Sequence, residues 1–315
     1  VAQFAVNWAH VQQEVLGNAF GYTRSNAALL AAFRRLGGAH DGTSPVAFHF
    51  VYPKWYRPIP GALNVLMTMY EYPELPWYFP AAFAKADALV VPTTFVRDVF
   101  RPHFQGPIEI VPLGIDPALF PRVPRRPVVD RPFRFLWAGA ENIRKGWREV
   151  GEAWNGAFKN DPGVELYMKT QGMNDGTAGD VVLFGKNVIR DARIVDDREM
   201  LRIYASADAF VFPSAAEGFG LTLIEAMATG LPCLTPIHTG LADFCDPSVV
   251  LPVKTVPYVL HLDEQGASGT RRSLKLSCQR VKIPDLIRKM QRVVREHDAM
   301  LELGERASAR AQTFT

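Results

Sequence analysis

Two carboxylates, Glu217 and Glu225, stand eight positions apart in the stretch PSAAEGFGLTLIEAMATG, residues 213–230. The expected elements are a strand ending near Pro213, a loop carrying Glu217, Gly218, Phe219 and Gly220, and a helix beginning near Leu221. The first N–H groups of a helix have no intrahelical partners, and with the helix dipole they form a ready anion site. Gly218 and Gly220 let a ligand come close to the backbone, so a phosphate fits there. Glu225 then lies about 6 Å along the helix axis, at ~1.5 Å per residue. A carboxylate accepts hydrogen bonds from vicinal sugar hydroxyls. One carboxylate on each side of a diphosphate therefore suits a nucleotide sugar. The alternative is a surface loop acid for Glu217 and a solvated helix face for Glu225. Against it, Glu225 is flanked by Leu221, Leu223, Ile224, Ala226 and Met227, where a carboxylate needs a partner.

The elements that must position these residues alternate along the second half of the chain. Strand-like runs fall at Phe133–Trp137, Val164–Met168, Val188–Val195, Ala209–Pro213 and Pro232–Thr235. Helical spacing appears at Trp147–Phe158, Arg198–Ala207 and Leu221–Thr229, the last stopped by Gly230. The first half repeats the pattern. Its strands are Val1–Trp8, Val46–Tyr52, Leu63–Met69, Ala88–Val91 and Ile108–Val111. Its helices are Ser25–Leu36, Pro80–Ala86 and Thr93–Phe100. Strands alternating with helices predict an α/β chain with parallel sheets. Between the halves, FPRVPRRPVVDRP holds four prolines and four arginines in residues 120–132, a composition that suits a linker. Two domains follow, 1–125 and 126–315, facing each other across a cleft. Ligands of such sheets bind beyond the carboxyl ends of the strands. Glu71, after the Leu63 strand, is on that ground a candidate to position an acceptor hydroxyl or take its proton, with a capping or surface role as the alternative. Trp55, Tyr56, Tyr72, Trp77 and Tyr78 could stack on an acceptor sugar or simply pack. His238 could face the cleft, though a solvated loop histidine is the plainer reading.

The segment E-G-F-G-L-x-x-x-E after P-S resembles the E-x7-E signature of retaining GT-B glycosyltransferases, particularly glycosyltransferase family four. RIVDDREMLRIYASADAFVFPSAAEGFGL, VVPTTFVRDVF with IEIVPLGIDPALF, and WAGAENIRKGW resemble further family segments. The likeness covers roughly residues 60–245. It implies a GT-B fold of two doubly wound Rossmann-like domains, the first for the acceptor and the second for the donor. It also implies transfer of a sugar from a nucleoside diphosphate to an acceptor hydroxyl with retention. No cofactor and no metal are implied, and the departing phosphate itself would help to deprotonate the acceptor. By resemblance Glu225 binds the ribose hydroxyls and Glu217 orients the donor sugar. The N–H groups around Phe219, Gly220 and Leu221 hold the diphosphate, and Lys145 neutralises the phosphates as they leave. The family often carries an arginine where Ala140 stands, so Arg144 is a candidate second cation, a solvated loop charge being the alternative. Gly21, in the loop GNAFGYTRS, is the candidate for close approach to the donor phosphate. Residues around Lys169–Gln171 and Ile194, Val195 and Asp196 are expected to frame the base.

Composition narrows the rest. The net charge is +3 from 35 basic and 32 acidic residues, too small to point to nucleic acid. The three cysteines, Cys233, Cys245 and Cys278, show no metal-ligand or disulfide spacing, and the seven histidines show none either. The opening VAQFAVNW reads as a strand and not as a signal peptide, so a cytoplasmic location is expected, with a peripheral membrane contact left open. The expected partners are a nucleotide-sugar donor and a carbohydrate, lipid-linked or small-molecule acceptor. Three rivals remain. A dinucleotide-dependent oxidoreductase would need a third glycine where Leu223 stands. An epimerase or phosphorylase shares the architecture. A non-catalytic nucleotide-sugar binding module is kept open by Ala140 and the short first domain.

Overall fold

The computed structural model describes residues 5–8 and 39–40 as backbone strands, and residues 45–170, 187–266 and 268–315 in full. Gly21, the helix expected over 25–36 and Gln171 lie outside the described residues. The chain divides into two compact units, 1–113 with 259–277, and 114–258 with 278–315.

In the first unit a parallel sheet runs in the order β2-β1-β3-β4-β5-β6. Its strands are β1 (Ala5–Trp8), β2 (Ala39–His40), β3 (Val46–Phe50), β4 (Leu63–Met67), β5 (Ala88–Val91) and β6 (Ile108–Ile110). The described helices are short, α1 (Phe79–Phe83) and α2 (Thr94–Phe100). Thr93 caps α2 by accepting from the Val96 N–H at 3.3 Å, the role expected of a threonine there. Phe79, Phe83 and Phe100 are fully buried and meet edge to face or tilted, which fixes both helices on the sheet. β4 ends at Met67 and not at the expected Met69.

The second unit carries the larger core. Its sheet, again all parallel, runs β12-β11-β10-β7-β8-β9. The strands are β7 (Phe133–Gly139), β8 (Val164–Thr170), β9 (Val188–Asp191), β10 (Ala209–Val211), β11 (Cys233–Thr235) and β12 (Leu251–Pro252). Around them lie α3 (Trp147–Phe158), α4 (Asp197–Ser206), α5 (Leu221–Ala228), α6 (Ile283–Arg295) and α7 (His297–Ala311). Helix α3 buries Trp147, Val150, Trp154 and Phe158 along one stripe at helical spacing, against Phe135 and Leu166 of the sheet. Burying a side chain of this size contributes roughly 1.5–3 kcal/mol. From β7 the sheet grows one way through β8 and β9, then reverses through β10, β11 and β12. The switch point therefore lies between β7 and β10, where ligands of open α/β sheets bind beyond the strand ends.

Two features differ from the sequence expectation. The proline- and arginine-rich segment is strapped onto the second unit. The Arg125 guanidinium donates to the carbonyls of Tyr204 (3.0 Å), Ala207 (2.6 Å) and Thr229 (3.1 Å). Arg131 forks onto both carboxylate oxygens of Asp208 at 2.7 Å. The compact division accordingly falls after Leu113, where the linker composition suggests 125/126. A hairpin, β13 (Thr255–Gln265) and β14 (Arg271–Val281), follows β12. Its distal part, 259–277, belongs to the first unit. There Glu264 accepts from the Tyr78 hydroxyl at 2.7 Å, Glu74 accepts from the Ser277 N–H at 2.8 Å, and Arg272 lies 5.1 Å over the Trp77 ring.

Candidate donor site

The two loops that leave the switch point carry the candidate residues. After β7, Asn142 accepts from the Lys145 N–H at 3.0 Å and caps a single turn, Ile143–Lys145. Gly146 closes that turn in the left-handed region, with φ of 69°. After β10, residues 212–220 are all buried. The loops are joined through backbone, the Ala215 N–H donating to the Arg144 carbonyl at 2.7 Å.

Their side chains converge on one carboxylate. Glu217 is 4% exposed. Its Oε1 accepts from Lys145 Nζ and from Ser214 Oγ, both at 2.6 Å, and Arg144 Nη1 stands 3.1 Å from its Oε2. Arg144 also donates to the Ala216 carbonyl at 2.9 Å, so it is no solvated loop charge. Burial disfavours the Glu217 anion, but Lys145 and Arg144 outweigh it and hold its pKa at about 2. The carboxylate is ionised at neutral pH and paired with two cations. Its backbone is fixed as well. The Glu217 N–H donates to Thr239 Oγ1 at 3.0 Å, and its carbonyl accepts from the Gly240 N–H at 2.8 Å.

Next come Gly218, Phe219 and Gly220, and then α5. Gly220 has φ of 106°, a backbone conformation that favours glycine, and a Cβ there would also push the Leu241 side chain, 2.6 Å away at Cδ2. Phe219 is 1% exposed and packs on Phe244 at 5.3 Å. Glu225, one turn into α5, is 3% exposed, with its Oε2 3.0 Å from the Tyr204 hydroxyl of α4. That is the partner its apolar flanks demand.

The remaining candidates are distributed differently. Val188–Val195 is not one strand: β9 stops at Asp191. The Asp191 carboxylate accepts from the Arg193 N–H (3.0 Å), the Arg193 guanidinium (2.8 Å) and the Tyr167 hydroxyl (2.7 Å), which turns the chain off the sheet. Ile194 is consequently 88% exposed, Val195 is half-buried, and Asp196 caps α4 by accepting from the Glu199 N–H. Lys169 is buried at the end of β8, its amine donating to the carbonyls of Thr170, Asp191 and Arg193. Glu71, in the first unit, is half-buried in the loop after β4, between the buried Tyr70 and Tyr72. Tyr56 and Tyr72, at 2% and 5% exposure, are packing residues and not stacking platforms. No group of three or more His, Cys, Asp or Glu suited to a metal occurs among the described residues. No described helix is long and apolar enough to cross a membrane.

Sequence reasoning passed over Ser214 and Thr239, which bind Glu217, and Tyr204, which binds Glu225. Short hydroxyl side chains carry no periodic signal. His238 is a correction. Its ring is largely buried, with Nδ1 3.2 Å from Thr239 Oγ1 and with Nε2 lacking a hydrogen-bond partner of good geometry. Burial lowers its pKa to about 4, against the opposing pull of Glu217 and the Ser214 backbone. The ring is therefore neutral in the folded protein and protonates near 6.5 when unfolded. The unfolded state binds the extra proton between these values, so stability falls as pH drops from about 6.5 to about 4. The full effect is roughly 3–4 kcal/mol at ~1.4 kcal/mol per unit. Urea unfolding of His238→Gln across this range should show a flatter slope than wild type. Equal slopes would remove the buried-histidine account.

Residues 130–254 match the protein family described as Glycosyl transferases group 1. The glycogen synthase of Mycobacterium tuberculosis is 31% identical over 166 residues, which is 50% of this chain and 39% of that protein. A D-inositol 3-phosphate glycosyltransferase of Paenarthrobacter aurescens is 31% identical over 174 residues, 50% of this chain and 40% of the relative. The chain thus spans about two fifths of the length of these curated relatives. Among solved structures, the sucrose-phosphate synthase of Thermosynechococcus elongatus superposes with a TM-score of 0.62 at 18% identity, covering 97% of this chain and 76% of that one. A glycosyltransferase from Rickettsia africae gives 0.61 at 11% identity, over 99% and 93%. The family match falls within the second unit, and the chain has the GT-B fold, with its two Rossmann-like parallel sheets.

Proposed function

We propose that this protein is a retaining glycosyltransferase that moves a sugar from a nucleoside diphosphate to an acceptor hydroxyl without a metal ion. One observation carries the reading. At the switch point of the second sheet, two cations converge on the buried Glu217 immediately before the N-terminus of α5, with the buried Glu225 one turn inside. In this reading the diphosphate lies against the backbone of Phe219–Leu221, where helix N–H groups and dipole favour an anion. Lys145 and Arg144 hold positive charge beside it and stabilise the leaving phosphate. Glu217, kept ionised by those cations, orients the sugar. Glu225 receives the ribose hydroxyls. Ile194 and Val195, on the exposed turn after β9, frame the base through their backbone. The departing phosphate would take the acceptor proton. On the acceptor side, Glu71 is the candidate for placing the hydroxyl of a carbohydrate acceptor. One curated relative is named a glycogen synthase and the other a D-inositol 3-phosphate glycosyltransferase, which favours a carbohydrate or polyol acceptor.

The test is a thermal-shift panel of UDP-, GDP-, ADP- and dTDP-sugars, with NAD and NADP included, on wild type and on Glu225→Gln. A ligand at 100 times its Kd stabilises the folded state by about 2.7 kcal/mol. We expect a shift with one nucleotide-sugar class, unchanged by EDTA and mostly lost in the variant. A response to NAD alone, or to none of the sugars at millimolar concentration, would sink the proposal. Donor turnover then separates an enzyme from a binding module, and the anomeric coupling constant of the product reports retention.

A further inference from the structure

Phe219 lies in the segment proposed to hold the diphosphate, yet its side chain faces an aromatic cluster. It packs on Phe244 at 5.3 Å and on Phe314 at 6.4 Å, and Phe314 in turn meets Phe244 at 5.9 Å. Leu241 and Phe244 also press on Gly220, whose Cβ position would lie 2.6 Å and 3.6 Å from them. Phe314 comes from the chain after α7, and its place is determined by two anchors. Helix α7 is locked to α5. Its Ser308 hydroxyl donates to the Ala228 carbonyl at 2.7 Å, and a Cβ on Gly304 would meet the Gly230 carbonyl oxygen at 2.3 Å. The Phe314 carbonyl accepts from the Ile115 N–H at 2.8 Å, and a Cβ on Gly114 would stand 3.0 Å from the same oxygen. Gly114 and Ile115 are the first residues of the second unit after Leu113.

We infer that Phe314 is a positioning residue for the donor: held by Ile115, it backs Phe219 and sets the path of the backbone whose N–H groups receive the diphosphate. The inference rests on the proposed nucleotide-sugar reading. A diphosphate is bound by the direction of several N–H groups at once, so a small rotation of this segment weakens all of them together. Phe219 has no polar side-chain atom to anchor it, and its pose is set by what packs behind it. An aromatic pair contributes enough beyond its buried area to account for about a tenfold change in an equilibrium. Phe314 touches neither Glu217 nor Lys145 in the contacts above. Its loss should therefore act on donor binding more than on the chemical step.

The experiment measures donor hydrolysis and transfer with the nucleotide sugar selected by the panel above, on wild type, Phe314→Ala, Phe314→Leu and Gly114→Ala. Phe314→Ala is expected to raise the donor KM about tenfold with kcat within about threefold, the scale of a lost aromatic contact. Phe314→Leu, which refills most of the volume, should recover most of that loss. Gly114→Ala pushes on the Phe314 carbonyl without removing the ring and should raise donor KM in the same direction. Should Phe314→Ala be insoluble, the leucine and Gly114 variants carry the same comparison. A lower melting temperature with donor KM unchanged would make Phe314 merely structural and overturn the inference. Wild type that neither binds nor turns over any nucleotide sugar would overturn the functional reading, and this inference with it.

Discussion

Lys145→Ala is expected to lower kcat roughly 10²–10³-fold, the usual cost of removing one fixed group that stabilises charge in a transition state. The amine donates to Glu217 Oε1 at 2.6 Å, which holds its charge at the mouth of the loop where the proposed reaction places the leaving phosphate. Lys145 also sits 5.3 Å from the Phe212 ring centroid and is mostly shielded from water, so its field is felt strongly. The substitution has a second, separable consequence. Glu217 loses one of the two cations that hold its pKa at about 2, while burial continues to push that value up. A carboxyl whose folded pKa is depressed stabilises the protein above its unfolded value, near 4.3, and loses that contribution as pH falls toward 2. In Lys145→Ala the folded value moves toward the unfolded one, so the acid-induced loss between about pH 4.5 and 2 should shrink. Steady-state turnover and acid unfolding of the same variant therefore report two different properties of Lys145. A kcat within threefold of wild type, together with the altered acid limb, would leave Lys145 as a partner of Glu217 only.

The contrast between Glu217 and His238 indicates what a sequence can carry. Glu217 was legible because its neighbours are local: glycines, a strand before it and a helix after it all lie within a few positions. Glu225 was legible because a carboxylate in an apolar helix is a contradiction that needs a partner, although the sequence could not say that Tyr204, 21 positions away, supplies it. The pairing of Arg144 with Glu217 joins residues more than seventy positions apart, and depends on β7 and β10 being neighbours in the sheet. Alternating strands and helices do not encode that neighbour relation; strand order does. His238 reads most plainly as solvated for the same reason. A polar residue in a short loop looks solvated until the loop it folds against is known. Val188–Val195 reads as one strand because its apolar residues continue, whereas Asp191 ends it through hydrogen bonds from Arg193 and Tyr167 that periodicity does not contain. The hairpin tip, 259–277, had no local mark assigning it to the first unit, because Glu74, Trp77 and Tyr78 bind it across some two hundred positions.

Gly146→Ala is expected to destabilise the protein by about 3–5 kcal/mol, in the upper tail for a single substitution. Two independent costs add. The residue sits at φ of 69°, where a side chain is strained by roughly 1–3 kcal/mol. The new Cβ would also lie 2.4 Å from the Pro213 carbonyl oxygen and 2.9 Å from its ring Cγ, so backbone would have to move. That contact is where the loop after β7 meets the loop after β10, and the residues on either side of it are Lys145 and Ser214. Any relaxation that admits the methyl group must part the two loops and lengthen the Lys145–Glu217 and Ser214–Glu217 hydrogen bonds, both 2.6 Å. The variant should therefore lose activity even at temperatures where it remains folded. Gly61 supplies the control. It has φ of 78° but nothing within 4 Å of its Cβ position, so Gly61→Ala carries the conformational cost alone and should fall near 1 kcal/mol. Urea unfolding of the two variants isolates the price of the close approach. Equal destabilisation would mean that the loops are not in contact at Gly146, and that the meeting of Lys145 with Glu217 does not depend on a glycine there.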